Sequence, residues 1–275
     1  MSRATIDRHT RLCISLSARP GHFGTRFHNH LYEALGLNYV YKAFATQDLA
    51  GAIAGIRALG IRGAGVSMPF KEAAVPLVDS VDESVAAIGA LNTIVRDEAS
   101  GHLRAYNTDY LAVRRLLARH EVPPSSRFVL RGSGGMARAV AAALRDSGFT
   151  SGTIVARNER AGRDLAQAYG FAWAPTVPDG AALLINATPV GMQGGPESTE
   201  LAFSEAAIDA ADVVFDVVAV PEDTPLVRAA RARARRVIVG GDVLVLQGVE
   251  QFVLYTGVRP DPAQIAAAAT VALGR

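Results

Sequence analysis

Apolar and polar residues alternate in short blocks along the first third of the chain. Residues 12–16 and the aromatic-rich residues 39–44 have the composition and length of strands, and residues 63–67 form a shorter one. Residues 26–35 and 47–59 place apolar side chains at helical spacing. This rhythm predicts an α/β layer built on a largely parallel sheet. A turn-rich stretch at 97–102 precedes a short strand ending at Tyr106 and a helix over about 109–120, and Pro123 and Pro124 then break the chain. The second half keeps the same beat. Strands are expected at 127–131, 153–156, 182–186, 213–218 and 236–239, with helices between them and two closing helices at 243–255 and 262–272. No repeat or low-complexity linker interrupts this order. The pattern implies a first domain of residues 1–107 completed by the C-terminal helices 246–275, and a second domain of residues 108–245.

Composition narrows the class. With 49% hydrophobic and 20% charged residues over 275 positions, the chain can bury a sizeable core. No apolar run reaches the roughly 18 residues that span a bilayer, and the polar stretch 1–11 lacks the apolar segment of a secretory signal. Cys13 is the sole cysteine, so no internal disulfide forms, and a cytoplasmic location is expected, with the thiol buried and inert. The net charge of +2 is small. Its one basic cluster, Arg228, Arg231, Arg233, Arg235 and Arg236, has no interleaved aromatics and reads as a solvated helix face, not a nucleic-acid surface. No histidine pair has metal-ligand spacing with suitable partners, so no metal is expected. The only lysines are Lys42 and Lys71. Arginine cannot give up its proton near neutrality whereas lysine can, so a chain this rich in arginine draws attention to its lysines wherever a proton must move.

Gly132-Ser133-Gly134-Gly135-Met136-Ala137 follows a strand and opens a helix, matching G-x-G-x-x-G/A. In that context the first glycine allows the turn, the second admits a pyrophosphate, and Ala137 lets the helix pack close to the sheet. The anion would rest on the helix N-terminus. The next strand ends at Ala156-Arg157-Asn158, with Arg160 one turn on. An arginine at this tip suits the 2′-phosphate of NADP, where an acidic residue would suit the ribose hydroxyls of NAD. Glu159 just beyond weighs the other way.

Further motifs are Ser67-Met68-Pro69-Phe70-Lys71, Ala90-Leu91-Asn92-Thr93, Tyr106-Asn107-Thr108-Asp109, Asn186-Ala187-Thr188-Pro189-Val190-Gly191-Met192, the segment from Asp216 to Pro225, and Gln247. In this order, around the glycine loop, they resemble the shikimate dehydrogenase family over about residues 12–257. The resemblance implies two α/β domains, an N-terminal substrate domain and a Rossmann-type NADP domain with a cleft between them. It implies hydride exchange between shikimate and 3-dehydroshikimate, in the aromatic amino acid (chorismate) pathway. Lys71 matches the catalytic lysine and Asp109 the aspartate that binds the reacting hydroxyl. Ser67, Asn92 and Gln247 match substrate-pocket residues. Gly132 to Ala137, Arg157, Asn158, Asn186, Ala187, Thr188, Pro189, Val190, Val217 and Gly240 match cofactor contacts. The partner implied is a small hydroxy acid, with no nucleic acid or membrane, and the chain is expected as a monomer or homodimer. Independently of the family, oxidation of an alcohol couples hydride loss to proton loss, which a positioned base performs. Desolvation would lower such a lysine's pKa while a nearby carboxylate raises it.

The pattern also departs from the family. The serines that hold the substrate carboxylate are missing before His28-Asn29. Thr25, His22 and Arg19 are the candidates, with Ser15 and Ser17 upstream. Ala219 stands for a pocket tyrosine, Ala156-Arg157-Asn158 for Asn-Arg-Thr, and Val243 for a methionine. These changes resemble the divergent shikimate dehydrogenase-like branch and imply slower or weaker turnover of shikimate. Dehydrogenation of quinate or an aminated shikimate, or non-catalytic NADP sensing, are the alternatives. His28 fits helix packing as well as catalysis.

Overall fold

The computed structural model describes residues 6–274, so the polar amino-terminal stretch is described only from Ile6. The chain forms two compact units, one of residues 1–108 and 245–275, the other of residues 109–244.

The first unit contains β1 (Arg11–Ser17), α1 (Phe23–Ala34), β2 (Tyr39–Ala45), α2 (Leu49–Ala58), β3 (Gly63–Val66), β4 (Ser80–Val81), α3 (Glu83–Ala86), β5 (Thr93–Arg96) and β6 (Leu103–Tyr106). Its sheet runs β2-β1-β3-β5-β6-β4. The sheet is largely parallel, as the sequence pattern predicts, with β1–β2, β1–β3 and β4–β6 parallel. The exception is β5, antiparallel to both neighbours; only the short segment 97–102 separates it from β6, and a tight return permits no crossover. Along β1, Ile14 and Leu16 enter one apolar cluster with Ile53, Ile56 and Ile94, while Cys13 enters another with Phe27, Leu31 and Tyr41. The period of two thus buries both faces. Asp48 caps α2 by accepting the Gly51 N–H at 2.8 Å.

The second unit follows from α4 (Thr108–Arg119), whose first residue still belongs to the first unit, through β7 (Phe128–Arg131), α5 (Gly135–Asp146), β8 (Gly152–Val155), α6 (Glu159–Tyr169), β9 (Ala172–Ala174), β10 (Leu183–Asn186), α7 (Glu205–Ala210), β11 (Val213–Asp216), α8 (Pro225–Ala232) and β12 (Arg236–Val239). All six strands are parallel in the order β12-β11-β10-β7-β8-β9. This is the doubly wound order, which reverses direction between β7 and β10 and places a ligand crevice beyond their carboxyl ends. Two helices then close the chain, α9 (Gly240–Thr256), which continues into the first unit, and α10 (Pro262–Leu273). A capping box between Asp261 and Gln264, with proline in the first turn, starts α10.

Four of the five arginines of the basic cluster are spent on neighbours, Arg228 on the Asp223 carbonyl. Arg231 pairs with Asp223, Arg233 with Glu205 and Asp209, and Arg236 donates to the His120 carbonyl. Among the described residues no group of histidine, cysteine or acidic side chains is placed to hold a metal, and no helix is long and apolar enough to cross a membrane.

Candidate active site

In the first unit, the chain leaving β3 turns at Ser67, whose N–H donates to the Leu16 carbonyl at 2.9 Å. Phe70 donates back to the Ser67 carbonyl at 3.0 Å, so Ser67 to Lys71 is a fixed turn at the carboxyl end of the sheet. Ser67 is exposed and Lys71 half-buried. The Lys71 carbonyl accepts the Leu91 N–H at 2.9 Å, which ties this turn to the segment carrying Asn92.

Asn92 is the hub of the unit's polar cluster, and it is only 3% exposed. Its Oδ1 accepts the Thr93 hydroxyl at 2.8 Å, the Thr108 N–H at 2.8 Å and the Thr108 hydroxyl at 3.1 Å. With the acceptor side saturated, the amide NH2 is what Asn92 has left to offer a ligand hydroxyl. The Thr108 hydroxyl also lies 3.5 Å from Gln247 Oε1, bringing the half-buried Gln247 to the same cluster. One helical turn on, Gln251 donates to the Asn92 carbonyl at 3.3 Å and the Thr93 hydroxyl at 3.0 Å. Sequence reasoning missed Gln251, although its i+4 spacing from Gln247 puts both on one face of α9. Asp109 follows Thr108 in the first turn of α4, 7% exposed, where a helix N-terminus favours a carboxylate.

His28 is fully buried and stacks on Tyr41 at 4.4 Å, with Phe252 and Tyr255 close by. Burial pushes its pKa down to about 3, Gln251 offsetting only part of this, so the ring is a neutral core element. Its neighbour Asn29 bonds both the N–H and the C=O of Tyr41, occupying the outer edge of β2 as another strand would. Cys13 is buried, its thiol pKa pushed up to about 12 by desolvation. Of the carboxylate-ligand candidates, Thr25 is half-buried in the first turn of α1, and His22 and Arg19 are exposed. Ser17, at the carboxyl end of β1, is 5% exposed, and its hydroxyl has no hydrogen-bond partner among the described residues. A buried hydroxyl left unbonded in this way commonly marks a group that meets a ligand or a water.

In the second unit, Gly132 has φ +128°, and a Cβ there would meet the Ala187 carbonyl oxygen at 2.7 Å. Only glycine lets the β7 loop pass beneath the β10 turn this closely. Gly134 is the N-terminal cap of α5, and a Cβ on Gly134 or Gly135 would meet nothing within 4 Å. The two glycines therefore leave an open, backbone-lined cradle at a helix N-terminus whose first turn carries no acidic residue. Ser133 and Met136 are half-buried beside it, and Ala137 is fully buried against the sheet. The residues fit a pyrophosphate.

Not every side chain assigned to the cofactor faces outward. Asn186 is fully buried, its amide donating to Asp216 at 3.0 Å and to the Val190 carbonyl at 3.2 Å. Its Oδ1 accepts the Thr188 N–H at 3.1 Å and the Thr188 hydroxyl at 2.6 Å. Val190 packs into the unit's apolar core. A Cβ on Gly240 would strike the backbone of Val217 and Val218. These three residues shape the turns, while Ala187, Thr188 and Val217 are half-buried and Pro189 is exposed. Asn158 caps α6 through Ala161 at 3.0 Å. Glu159 is taken by Arg163 at 2.8 Å, and Arg160 is almost fully exposed, 4.0 Å from Asp164. Arg157 projects into solvent, and its guanidinium meets Glu197 at 3.2 Å. Asp216, fully buried at the end of β11, accepts the Thr224 hydroxyl at 2.6 Å and the Val218 N–H at 3.1 Å. Desolvation outweighs these bonds and raises its pKa to about 6.

The family described as the shikimate dehydrogenase substrate binding domain matches residues 23–94. A shikimate dehydrogenase-like protein of Haemophilus influenzae is 52% identical over 268 residues, covering 97% of this chain and 98% of the relative. A solved structure of a shikimate 5-dehydrogenase-like protein superposes with a TM-score of 0.95 at 51% identity, covering 98% of this chain and 100% of that one. The shikimate 5-dehydrogenase of Thermus thermophilus, solved in complex with NADP(H) and shikimate, gives a TM-score of 0.82 at 32% identity, covering 95% and 99%. On this identity and coverage, the chain belongs to the shikimate dehydrogenase family.

Proposed function

We propose that the protein is an NADP-dependent oxidoreductase that interconverts shikimate and 3-dehydroshikimate, the first unit binding the hydroxy acid and the second the dinucleotide. The observation that carries this reading is the Asn92 hub, which fixes Thr108 and Gln247 around one polar point and connects through Leu91 to the Lys71 turn. It offers hydroxyl-binding groups beside a half-buried lysine, as a polyol acid requires.

In the oxidising direction the reacting carbon gives up a hydride and its oxygen gives up a proton. NADP, when bound, supplies the hydride acceptor. Lys71 is the group that exchanges this proton at Nζ, in one direction with the alcohol and in the other with the ketone. Asp109 is proposed to act at the same hydroxyl as the group that positions it. Asn92, through its NH2, and Gln247 hold the neighbouring hydroxyls, and Ser67 presents a further one. Ser17 and Thr25 are the residues proposed to meet the carboxylate. The glycine cradle at Gly134 and Gly135 holds the pyrophosphate, with Arg157 at the 2′-phosphate.

The test follows absorbance of NADPH as it forms, with purified protein and each pairing of shikimate or quinate with NADP or NAD. Turnover of shikimate with NADP above that with NAD is expected. Dinucleotide binding without turnover of either acid would refute the dehydrogenase reading and leave a binding protein.

A further inference from the structure

The arginine at the tip of the second strand of the dinucleotide sheet is already held by a carboxylate. Arg157 lies two residues beyond β8, its side chain 77% exposed, and its Nη1 is 3.2 Å from Glu197 Oε1. Glu197 is the more fixed partner, with its side chain only 23% exposed. It sits in the loop after β10, which is closed on itself by backbone bonds. Gly191 donates to the Glu197 carbonyl at 2.9 Å, Gly195 to Met192 at 3.1 Å and Ser198 to Gly195 at 3.2 Å, while Gln193 donates to Val220 at 3.0 Å. The loop thus presents the carboxylate to Arg157 from a built turn.

The nearby arginines do not share this position. Arg163 is committed to Glu159 at 2.8 Å and lies over the Trp173 ring at 4.0 Å. Arg160 is 93% exposed beside Asp164. Arg157 is therefore the cation best placed for a 2′-phosphate, and Glu197 competes for it. A phosphate monoester carries nearly two charges near neutral pH and offers more acceptor oxygens than a carboxylate, so it can take the guanidinium. It would then lie beside the displaced Glu197 and be repelled by it. A ribose without that phosphate leaves the Arg157–Glu197 pair intact.

We propose that Glu197 sets the discrimination between dinucleotides with and without a 2′-phosphate, by occupying Arg157 and opposing the phosphate that displaces it. This rests on the dinucleotide reading of the second unit, and it identifies a specificity-determining residue 40 positions from the arginine it acts on.

The experiment compares 2′,5′-ADP with 5′-AMP by titration calorimetry on the full chain, for wild type, Glu197→Gln, Arg157→Gln and the double variant. An exposed ion pair of this kind corresponds to about a two- to fivefold effect, and removing the repulsion adds to it. Glu197→Gln is expected to tighten 2′,5′-ADP by roughly three- to tenfold while 5′-AMP stays within about twofold. In the Arg157→Gln background the same change should keep only the part that comes from removing the repulsion, and so tighten 2′,5′-ADP by less than it does in the wild type. An unchanged ratio of the two affinities in Glu197→Gln, or weaker 2′,5′-ADP binding, would overturn the role of Glu197 alone. Failure of the wild type to bind either fragment, or NADP or NAD, would remove the dinucleotide reading and the proposal together.

Discussion

Asp216 ties the stability of the second unit to pH in an unusual direction. Its carboxyl is fully buried at the end of β11, and desolvation raises its pKa from the ordinary 3.8 to about 6. The folded state therefore holds the proton over a range where the unfolded chain has released it. Between these two values the folded state binds more protons, so stability falls as pH rises, and it levels off above about pH 6. At about 1.4 kcal/mol per pH unit, the whole effect is about 3 kcal/mol, of which about 2 kcal/mol lies between pH 4.5 and 7.5. Asp216→Asn removes the titration while keeping the shape. It can still accept the Val218 N–H, and its new NH2 stands where the protonated carboxyl would meet Thr224. Urea unfolding of both proteins across this pH range, taken as the difference at each pH, cancels every other titrating group. The variant should gain about 2 kcal/mol on the wild type from pH 4.5 to 7.5. A difference that stays constant across the range would show that Asp216 ionises normally and that its burial carries no such cost.

Lys71→Ala is expected to lower kcat by at least about a hundredfold while the NADP Kd, measured by fluorescence, stays within about twofold; retention of most activity would rule out the proton role. Gly132→Val places a side chain against the Ala187 carbonyl at φ +128°, and should cost about 1–3 kcal/mol in unfolding experiments and abolish the thermal shift produced by added NADP. A variant that melts and binds like wild type would mean the β7 loop has more room than this contact allows. His28→Phe keeps a ring against Tyr41 and Phe252 but cannot be protonated. The unfolded chain takes up a proton below about pH 6.5 that the buried ring refuses until about pH 3, so the wild type loses stability as pH falls through this window. The variant should gain about 3 kcal/mol relative to wild type between pH 7 and 4, and equal acid sensitivity of the two would contradict a buried neutral His28.

What the sequence disclosed depends on which physical rule writes each feature. Strands such as β1 and β2 are legible because their apolar content and length leave few alternatives. Gly132 is legible because a positive φ and a close carbonyl exclude every side chain. The three-residue β9 and the four-residue antiparallel β5 are not legible, since so few residues establish no period. Asn92 and Gln247 were found by resemblance alone, and nothing in their spacing shows that Asn92 has its acceptor side filled by Thr93 and Thr108. Asn186 and Gly240 stand out in sequence as cofactor contacts, and nothing in the sequence shows that both also hold the shape of their turns. Glu197 could not be found at all, because its meeting with Arg157 is made by the closed loop after β10.

The two buried titrating groups have opposite signs and sit in different units. From about pH 4 to 6, acid stabilises the second unit through Asp216 and destabilises the first through His28. Each contributes about 1.4 kcal/mol per pH unit over that interval, so their sum is nearly flat. A single melting curve followed against pH would then miss both. Unfolding also need not be two-state in a chain with two compact units, and a probe that averages over them mixes two responses. Amide exchange resolved by residue separates them: protection in β1 and α1 should fall from pH 6 to 4 after correction for the intrinsic exchange rate, while that in β10 and β11 should rise. Parallel change in both units would mean that they unfold as one cooperative body, in which case only the differences between wild type and the Asp216→Asn or His28→Phe variant carry the information.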